Sequence, residues 1–257
     1  METSETSAGR RFVSADGRTR PMLSIVIPAF NEAVRIGDSV QKIDEFIRRS
    51  PLSAELIIVD DGSADDTSKI IRSVKPRNLL LLQNSENHGK GYSVRQGFLE
   101  ASGEYVLFTD ADLSAPIDEL QKLLDAAIQD NADIVIGSRA VDRRYIEKHQ
   151  SRGREVGGIV FNFIVRLILG LRFHDTQCGF KLFRRVRTRP IFEKLTTFGF
   201  GFDPELLFAA KRAGLRIREV PVRWSHSEGS KVRMIRDGFQ MICDLVRIRW
   251  NAIIGRY

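Results

Sequence analysis

The chain has 257 residues, 42% of them hydrophobic and 9% aromatic, which supplies one large core and is too short for three domains. That composition excludes intrinsic disorder and collagen-like repeats. Its two cysteines, Cys178 and Cys243, show neither CxxC nor Cys/His spacing, so a disulfide scaffold and a structural zinc site are excluded too. Each cysteine is expected to be a small core hydrophobe. The formal charge of +7 is unevenly spread: residues 1–138 carry 15 basic and 22 acidic side chains, residues 139–257 carry 25 and 11. An acidic half suited to holding a cation therefore precedes a basic half suited to anions, whether phosphates, nucleic acid or an anionic bilayer.

Residues 1–21 are polar and basic with no apolar h-region, so they read as a disordered basic arm and no secretory signal is expected. LSIVIPAF from Leu23 is a short β-rich apolar run stopped by proline, as in a buried parallel strand. A helical pattern follows from about Glu32 to Arg49, with Val34, Ile36, Val40, Ile43, Phe46 and Ile47 on its apolar face. ELIIVDDGSADDT is a second strand ending in acids, and Ser63 or Asp65 is placed to cap the next helix. Leu79–Gln83 reads as a third strand, and NHGKGYSVRQGFLEASG as a glycine-rich loop and helix. YVLFTDADLSAP then gives a fourth strand ending in acids, before a helix at 117–129 and the strand ADIVIGSR. Strands alternating with helices predict an α/β fold, a mostly parallel Rossmann-like sheet with helices on both faces. Ligands in such sheets bind beyond the carboxyl ends of the strands. Those ends carry Pro28, Ala29, Phe30 and Glu32, Asp60 and Asp61, Asn87 to Gly91, Asp110 to Asp112, and Arg139.

The chemistry is sharpest at Asp110-Ala111-Asp112. Two carboxylates one residue apart at a strand end reach a common hard cation if the chain turns there, and Mg²⁺ or Mn²⁺ in turn binds a diphosphate. A solvated turn or helix cap is the competing reading. The buried strand aimed at these acids favours an ionic partner. Asp60 and Asp61 suit a base N–H or a ribose hydroxyl, and equally an N-cap cluster. His88–Gly91 offers backbone N–H groups and Lys90 as a phosphate cradle, although it has neither the GxGxxG nor the P-loop spacing.

Taken in order, PAFNE, VDDGSADDT, NHGKGYSVRQG, TDADLSAP, GSR, DTQCGFKLF, GFDPELL and VPVRWSHSEGSKV resemble the family-two glycosyltransferases of the GT-A fold, over roughly residues 22–250. Within that family the resemblance is to the polyprenyl-phosphate hexosyltransferases, the dolichyl-phosphate glucosyltransferases and their mannosyl relatives. It implies that Pro28, Ala29, Phe30, Glu32, Asp60 and Asp61 hold the donor's base and ribose, with Lys90 nearby. Asp110, Ala111 and Asp112 match the DxD motif, with Asp112 the nearer metal ligand. Arg139, with Arg152 or Arg154, would hold the acceptor phosphate, and Ser230 and Lys231 would close over the donor diphosphate. Mannosyl members often carry Gln where this chain has Ser114, which leans toward the glucosyl branch. The activity implied is an inverting, Mg²⁺- or Mn²⁺-dependent transfer of a hexose, glucose from UDP-glucose first, to polyprenyl or dolichyl phosphate. Transfer from GDP-mannose, or to a hydroxyl acceptor, is the alternative.

The implied organisation is a nucleotide half at 22–138, an acceptor half at 139–230 and a basic amphipathic helix within 231–257. Val156–Phe173 is apolar nearly all round, interrupted by Asn162 and Arg166. It falls short of the ~20 apolar residues needed to span a bilayer and reads as an interfacial helix, with a core helix as the competing reading. Residues 232–254 mix apolar residues and Trp250 with arginines, which suits an anionic membrane surface. The chain is therefore expected to be peripheral, on the cytoplasmic face. A nucleic-acid partner is not expected, because the basic half lacks the aromatic-basic interleaving of single-strand platforms.

Overall fold

The computed structural model describes residues 3–6, 9–13, 19–226 and 234–257. In chain order the elements are β1 (Thr3–Thr6), β2 (Gly9–Val13), β3 (Thr19–Pro21), β4 (Leu23–Ala29), α1 (Ile36–Arg49), β5 (Ala54–Asp60), α2 (Thr67–Val74), β6 (Leu79–Gln83), α3 (Lys90–Glu100), β7 (Tyr105–Thr109) and α4 (Leu120–Gln129). The second half adds β8 (Ile134–Ser138), β9 (Ile146–Lys148), α5 (Arg152–Leu169), β10 (Phe180–Arg184), α6 (Arg185–Lys194), α7 (Phe202–Arg212), β11 (Ile217–Pro221), β12 (Trp224–Ser225) and α8 (Met234–Ile253).

Seven strands form the central sheet in the order β11-β8-β10-β7-β4-β5-β6. Every pairing is parallel except those of β10, which runs antiparallel between β7 and β8. The inner strands β4, β5, β7 and β8 are mostly apolar and buried because both faces are covered, yet period two still sorts their side chains. Ile25 and Ile27 of β4, Leu56 and Ile58 of β5 and Leu107 of β7 join the cluster under α1 and α4. Val26, Ile57, Val106 and Phe108 join the one under α3, α5, α7 and α8. The order reverses at β4, with β5 on one side and β7 on the other, and a ligand crevice is expected at the carboxyl ends of such a pair.

Several expectations change. Within 1–21, expected to be a disordered basic arm, Thr3–Thr6, Gly9–Val13 and Thr19–Pro21 instead form three short antiparallel strands, β1 to β3. Thr3, Thr6, Val13 and Thr19 are β-branched and suit extended pairing, which a reading by charge overlooked. The predicted helix from Glu32 begins only at Ile36, and of 156–173 only 156–169 is helical, in a helix that starts at Arg152 and stops at Leu169, where Gly170 turns left-handed at φ 66°. Cys178 is buried as expected, but Cys243 is exposed because it lies on an outer face of α8. That helix, set apart by charge in the sequence, buries Leu245, Ile248 and Ala252 in the same core as α7. Among the described residues no helix is long and apolar enough to cross a membrane.

Candidate active site

The fully buried strand β7 delivers Asp110 to the crevice, and the Asp110 amide donates to the Gly179 carbonyl at 3.1 Å. The chain then turns: the Leu113 amide donates to the Asp110 carbonyl at 3.1 Å and Leu113 takes φ 47°, while the Ser114 amide donates to Asp112 Oδ1 at 3.0 Å. This is the turn a shared cation requires of two acids one residue apart. Both carboxylates meet cations: Lys90 Nζ lies 2.7 Å from Asp110 Oδ1, and Arg35 Nη1 lies 3.7 Å from Asp112 Oδ2. Burial disfavours the Lys90 charge, but Asp110 and then Asp203 outweigh it and hold the ammonium above its ordinary value.

These residues fit a divalent metal. Hard carboxylate oxygens suit Mg²⁺ or Mn²⁺, and such ions are commonly held by one or two carboxylates plus substrate phosphates. Among the described residues no three His, Cys, Asp or Glu side chains form a closed cage, so a site on Asp110 and Asp112 depends on the donor for further ligands.

Gly179 was missed by the sequence reading, in which the DTQCGFKLF motif gave it no role. A Cβ built there would lie 1.9 Å from Asp110 Oδ2, so only glycine leaves the carboxylate its place. The HGKG loop also differs from expectation. The His88 and Gly89 amides donate to the Asp61 carboxylate, the latter at 2.7 Å, and the Tyr92 amide donates to the Phe198 carbonyl. Those N–H groups are spent inside the protein rather than cradling a phosphate. Glycine at 89 is explained by φ 105° and by the Phe198 carbonyl, 2.5 Å from any Cβ there. Lys90 alone points to the acids.

Asp60 and Asp61 are buried and fully engaged. Asp61 holds the loop after β6 through Asn84, His88 and Gly89, while Asp60 accepts from the Ser63 amide and the Ser68 hydroxyl. The N-cap reading is not realised, because Asp66 stands at the N-cap of α2 with no side-chain cap bond and neither Asp60 nor Asp61 accepts from a first-turn amide of that helix. Both acids instead tie down loops, and a contact from either carboxylate to a base or ribose would need one of these partners to give way. Pro28 and Phe30 at the β4 terminus are half-buried, and Ala29 and Ala111 are buried beside them. The Glu32 amide donates to Thr67 Oγ1 at 2.8 Å, and the Glu32 carboxylate holds Arg35, which faces Asp112.

Arg139, at the end of β8, is already paired. Its Nε and Nη2 meet the two oxygens of Asp175 at 2.6 and 2.9 Å, and its guanidinium lies 5.4 Å from the Trp224 ring centre. Burial works against the Asp175 charge, but Arg139 pulls harder and brings the carboxyl down to about 2. Its stabilising charge is therefore complete above the ordinary carboxylate range and is lost only as pH falls toward 2. A ¹³C titration should find Asp175 still ionised at about pH 3, and a midpoint near 4 would contradict the pairing. Asn162, read as an interruption in an apolar helix, tethers this region to α5: it donates to the His174 carbonyl at 2.7 Å and accepts from Thr176 Oγ1 at 3.0 Å.

Arg154 lies in the first turn of α5, partly exposed; the Arg152 side chain, Ser230 and Lys231 lie outside the described residues. Of the GFDPELL acids, Glu205 accepts from the Thr196 and Thr197 amides and from Tyr257, a structural role. Asp203 forms a buried pair with Lys181 at 2.6 Å.

The profile of Glycosyl transferase family 2 matches residues 24–192. The dolichyl-phosphate beta-glucosyltransferase of Saccharomyces cerevisiae is 37% identical over 91% of this chain and 76% of that protein. The Dictyostelium discoideum protein of the same name is 35% identical over 91% and 75%, and the Homo sapiens one 32% over 91% and 77%. Among solved structures, mannosyl-3-phosphoglycerate synthase from Rubrobacter xylanophilus overlays with a TM-score of 0.67 at 20% identity, covering 92% of this chain and 76% of that one. The glucosyl-3-phosphoglycerate synthase of Mycobacterium tuberculosis, crystallised with Mn²⁺, UDP and glucosyl-3-phosphoglycerate, overlays at 0.65 and 19% identity over 92% and 80%. The mostly parallel sheet with one reversed strand is thus the GT-A fold, and the chain is a glycosyltransferase that belongs to glycosyl transferase family 2.

Proposed function

We propose that this enzyme transfers glucose from UDP-glucose to a polyprenyl phosphate of the dolichyl type, with inversion at the anomeric carbon. The observation that carries the reading is the carboxylate pair Asp110 and Asp112, turned into the crevice at the strand-order reversal and bracketed by Lys90 and Arg35. The names of the relatives support the acceptor and the sugar.

A lipid monophosphate is ionised near neutral pH and needs no general base. One of its oxygens attacks the anomeric carbon, the bond from that carbon to the diphosphate oxygen breaks, and UDP leaves with the electron pair. One displacement inverts the sugar. Mg²⁺ or Mn²⁺ held by Asp110 and Asp112 would neutralise the leaving diphosphate. Lys90 and Arg35 add positive charge on the donor side, with Ser230 and Lys231 assigned to the same diphosphate. On the acceptor side Arg139, Arg152 and Arg154 receive the lipid phosphate. Asp175 already occupies two N–H groups of Arg139, so that guanidinium is held rigid and the partly exposed Arg154 is the freer fork. The apolar outer faces of α5 and α8 bring the site to an anionic membrane surface, where the acceptor resides.

The test is incubation with labelled nucleotide sugars, polyprenyl phosphate and Mg²⁺, scoring label in the lipid phase and its release by mild acid. UDP-glucose should label most strongly, and Asp112→Ala should lower the rate on the order of 10²-fold or more. Label from GDP-mannose alone would reassign the donor, an acid-resistant product would reassign the acceptor, and full activity in EDTA would remove the metal.

A further inference from the structure

The protein buries an ion pair that the reaction as described does not use. Lys181, on β10, has its side chain wholly out of water, with Nζ 2.6 Å from Asp203 Oδ1 and 2.6 Å from the Cys178 carbonyl. A buried pair of this kind is weak evidence for stability, since apolar replacements of similar volume often serve as well. Its surroundings point elsewhere. The Phe108 ring, next but one before Asp110, lies 5.9 Å from Lys181 Nζ on one side and 5.2 Å from Lys90 Nζ on another. Two ammonium groups, Lys90 paired with Asp110 and Lys181 paired with Asp203, therefore lie against one aromatic ring.

Lys90 is the hinge of this cluster. It contacts Asp110 Oδ1 at 2.7 Å, one of the two carboxylates assigned to the metal, so ammonium and metal compete for that carboxylate. The shared Phe108 ring brings Lys90 close to the Lys181–Asp203 pair, and Asp203 is among the acids that favour the Lys90 charge. Burial pushes the Asp203 carboxyl up, and Lys181 and then Lys90 pull against that shift without cancelling it.

We propose that Asp203, fixed in place by the buried Lys181, is a positioning residue that receives the Lys90 ammonium when a divalent cation takes Asp110. The proposal rests on the donor and metal reading given above. Without Asp203, Lys90 stays on Asp110, its contact at 2.7 Å, and holds that carboxylate against the metal. Lys181 is required because it neutralises Asp203 and pins its side chain without reaching the cleft. The pair thus keeps a lysine in the site without letting it block the cation.

The test is Mn²⁺ affinity in the presence of UDP, read by electron paramagnetic resonance. The variant Lys181→Met with Asp203→Asn removes both charges and leaves no uncompensated buried ion. It should melt near the unmodified protein and bind Mn²⁺ about tenfold more weakly. Adding Lys90→Met should recover most of that loss, because the competitor is gone. Unchanged Mn²⁺ affinity in the double variant overturns the proposal, as does a loss that Lys90→Met leaves in place, since that would mark the pair as purely structural. Should the double variant not fold, the unmodified protein still decides. With ¹⁵N-labelled lysine, the Lys90 ammonium should keep the signature of a paired group, protected from solvent exchange, on adding Mg²⁺ and UDP. Release of Lys90 to solvent overturns the proposal. Failure of the unmodified protein to bind Mn²⁺ with UDP at all would overturn the reading of the site and this inference with it.

Discussion

Replacing Gly179 by alanine will cost as much activity as removing Asp110 itself, on the order of 10²-fold or more in the rate of sugar transfer. The Cβ would lie 1.9 Å from Oδ2, 2.3 Å from Cγ and 2.6 Å from Oδ1 of Asp110, so the whole carboxylate is displaced rather than one oxygen. The backbone has little room to yield. Residue 179 leads directly into β10, which pairs on one side with β7, Phe180 opposite Thr109, and on the other with β8. The strain therefore falls on the Asp110 side chain, which must leave both Lys90 and its place beside Asp112. Because that carboxylate is partly exposed, the fold should survive, and the melting temperature should fall far less than the activity. Gly158→Ala is the control, since nothing lies within 4 Å of a Cβ there and alanine is the better helix former. Transfer rates with Mg²⁺ and with Mn²⁺ should be measured beside Mn²⁺ affinity. Near-normal turnover in Gly179→Ala would mean that Asp110 is not where the chemistry needs it.

Asp110 and Asp112 were legible in the sequence because a fully buried strand is a continuous apolar run, and acids at its end stand out against it. The same physics put Asp60, Asp61 and Phe30 at the correct edge of the sheet, and the apolar run Leu79–Gln83 was readable to the residue even though it is a partly exposed edge strand. What stayed hidden depends on contacts between distant segments. Lys181 looks like a solvated strand residue until Asp203 is brought against it, 22 residues later. Gly179 looks like a turn glycine until Asp110 is found where its Cβ would be. The Arg139–Asp175 clamp joins residues 36 apart, and nothing local to either announces it. The direction of β10 is equally silent, because FKLFR pairs as well in either sense and the connections decide. At His88–Gly91 a local signal misled. Its glycines suggested a phosphate loop, whereas the His88 and Gly89 amides go to Asp61 and the 197–202 segment packs on Gly89 and Gly91, which leaves Lys90 as the part of that reading still aimed at the site.

Phe163→Glu and Phe239→Glu together will abolish binding to anionic vesicles while leaving the protein folded. Helix α5 has two apolar faces. Val165 and Leu169 are buried in the core, whereas Val156, Ile159, Val160, Phe163 and Leu167 face outward. Helix α8 is built alike, with Leu245 and Ile248 inside and Phe239, Val246, Trp250 and Ile253 outside. The core reading of 156–173 therefore holds on one side of the helix, and the opposite side carries the exposed apolar residues that the interfacial reading requires. The two helices pack on each other, and between them Val160, Phe161, Ile164, Phe239 and Ile242 line an apolar groove of ≈ 310 Å³. The exposed arginines Arg166, Arg247 and Arg249 add attraction to anionic headgroups, at most about 1 kcal/mol each. Fully burying a phenylalanine is worth about 2–3 kcal/mol, and a carboxylate in its place is repelled by the same headgroups. Two such changes should lower partitioning by about 10³-fold or more. High salt should weaken binding of the unmodified protein without ending it, because screening removes the charge contribution and leaves the apolar one. Val165→Glu, on the inner face of α5, should unfold the protein instead. Flotation with anionic and neutral liposomes, run beside thermal melting, separates these outcomes. If the double variant floats as the unmodified protein does, the outer faces of α5 and α8 are not what meets the bilayer. If Phe163→Glu unfolds the chain as Val165→Glu does, the outward side of α5 belongs to a packing interface rather than a lipid one.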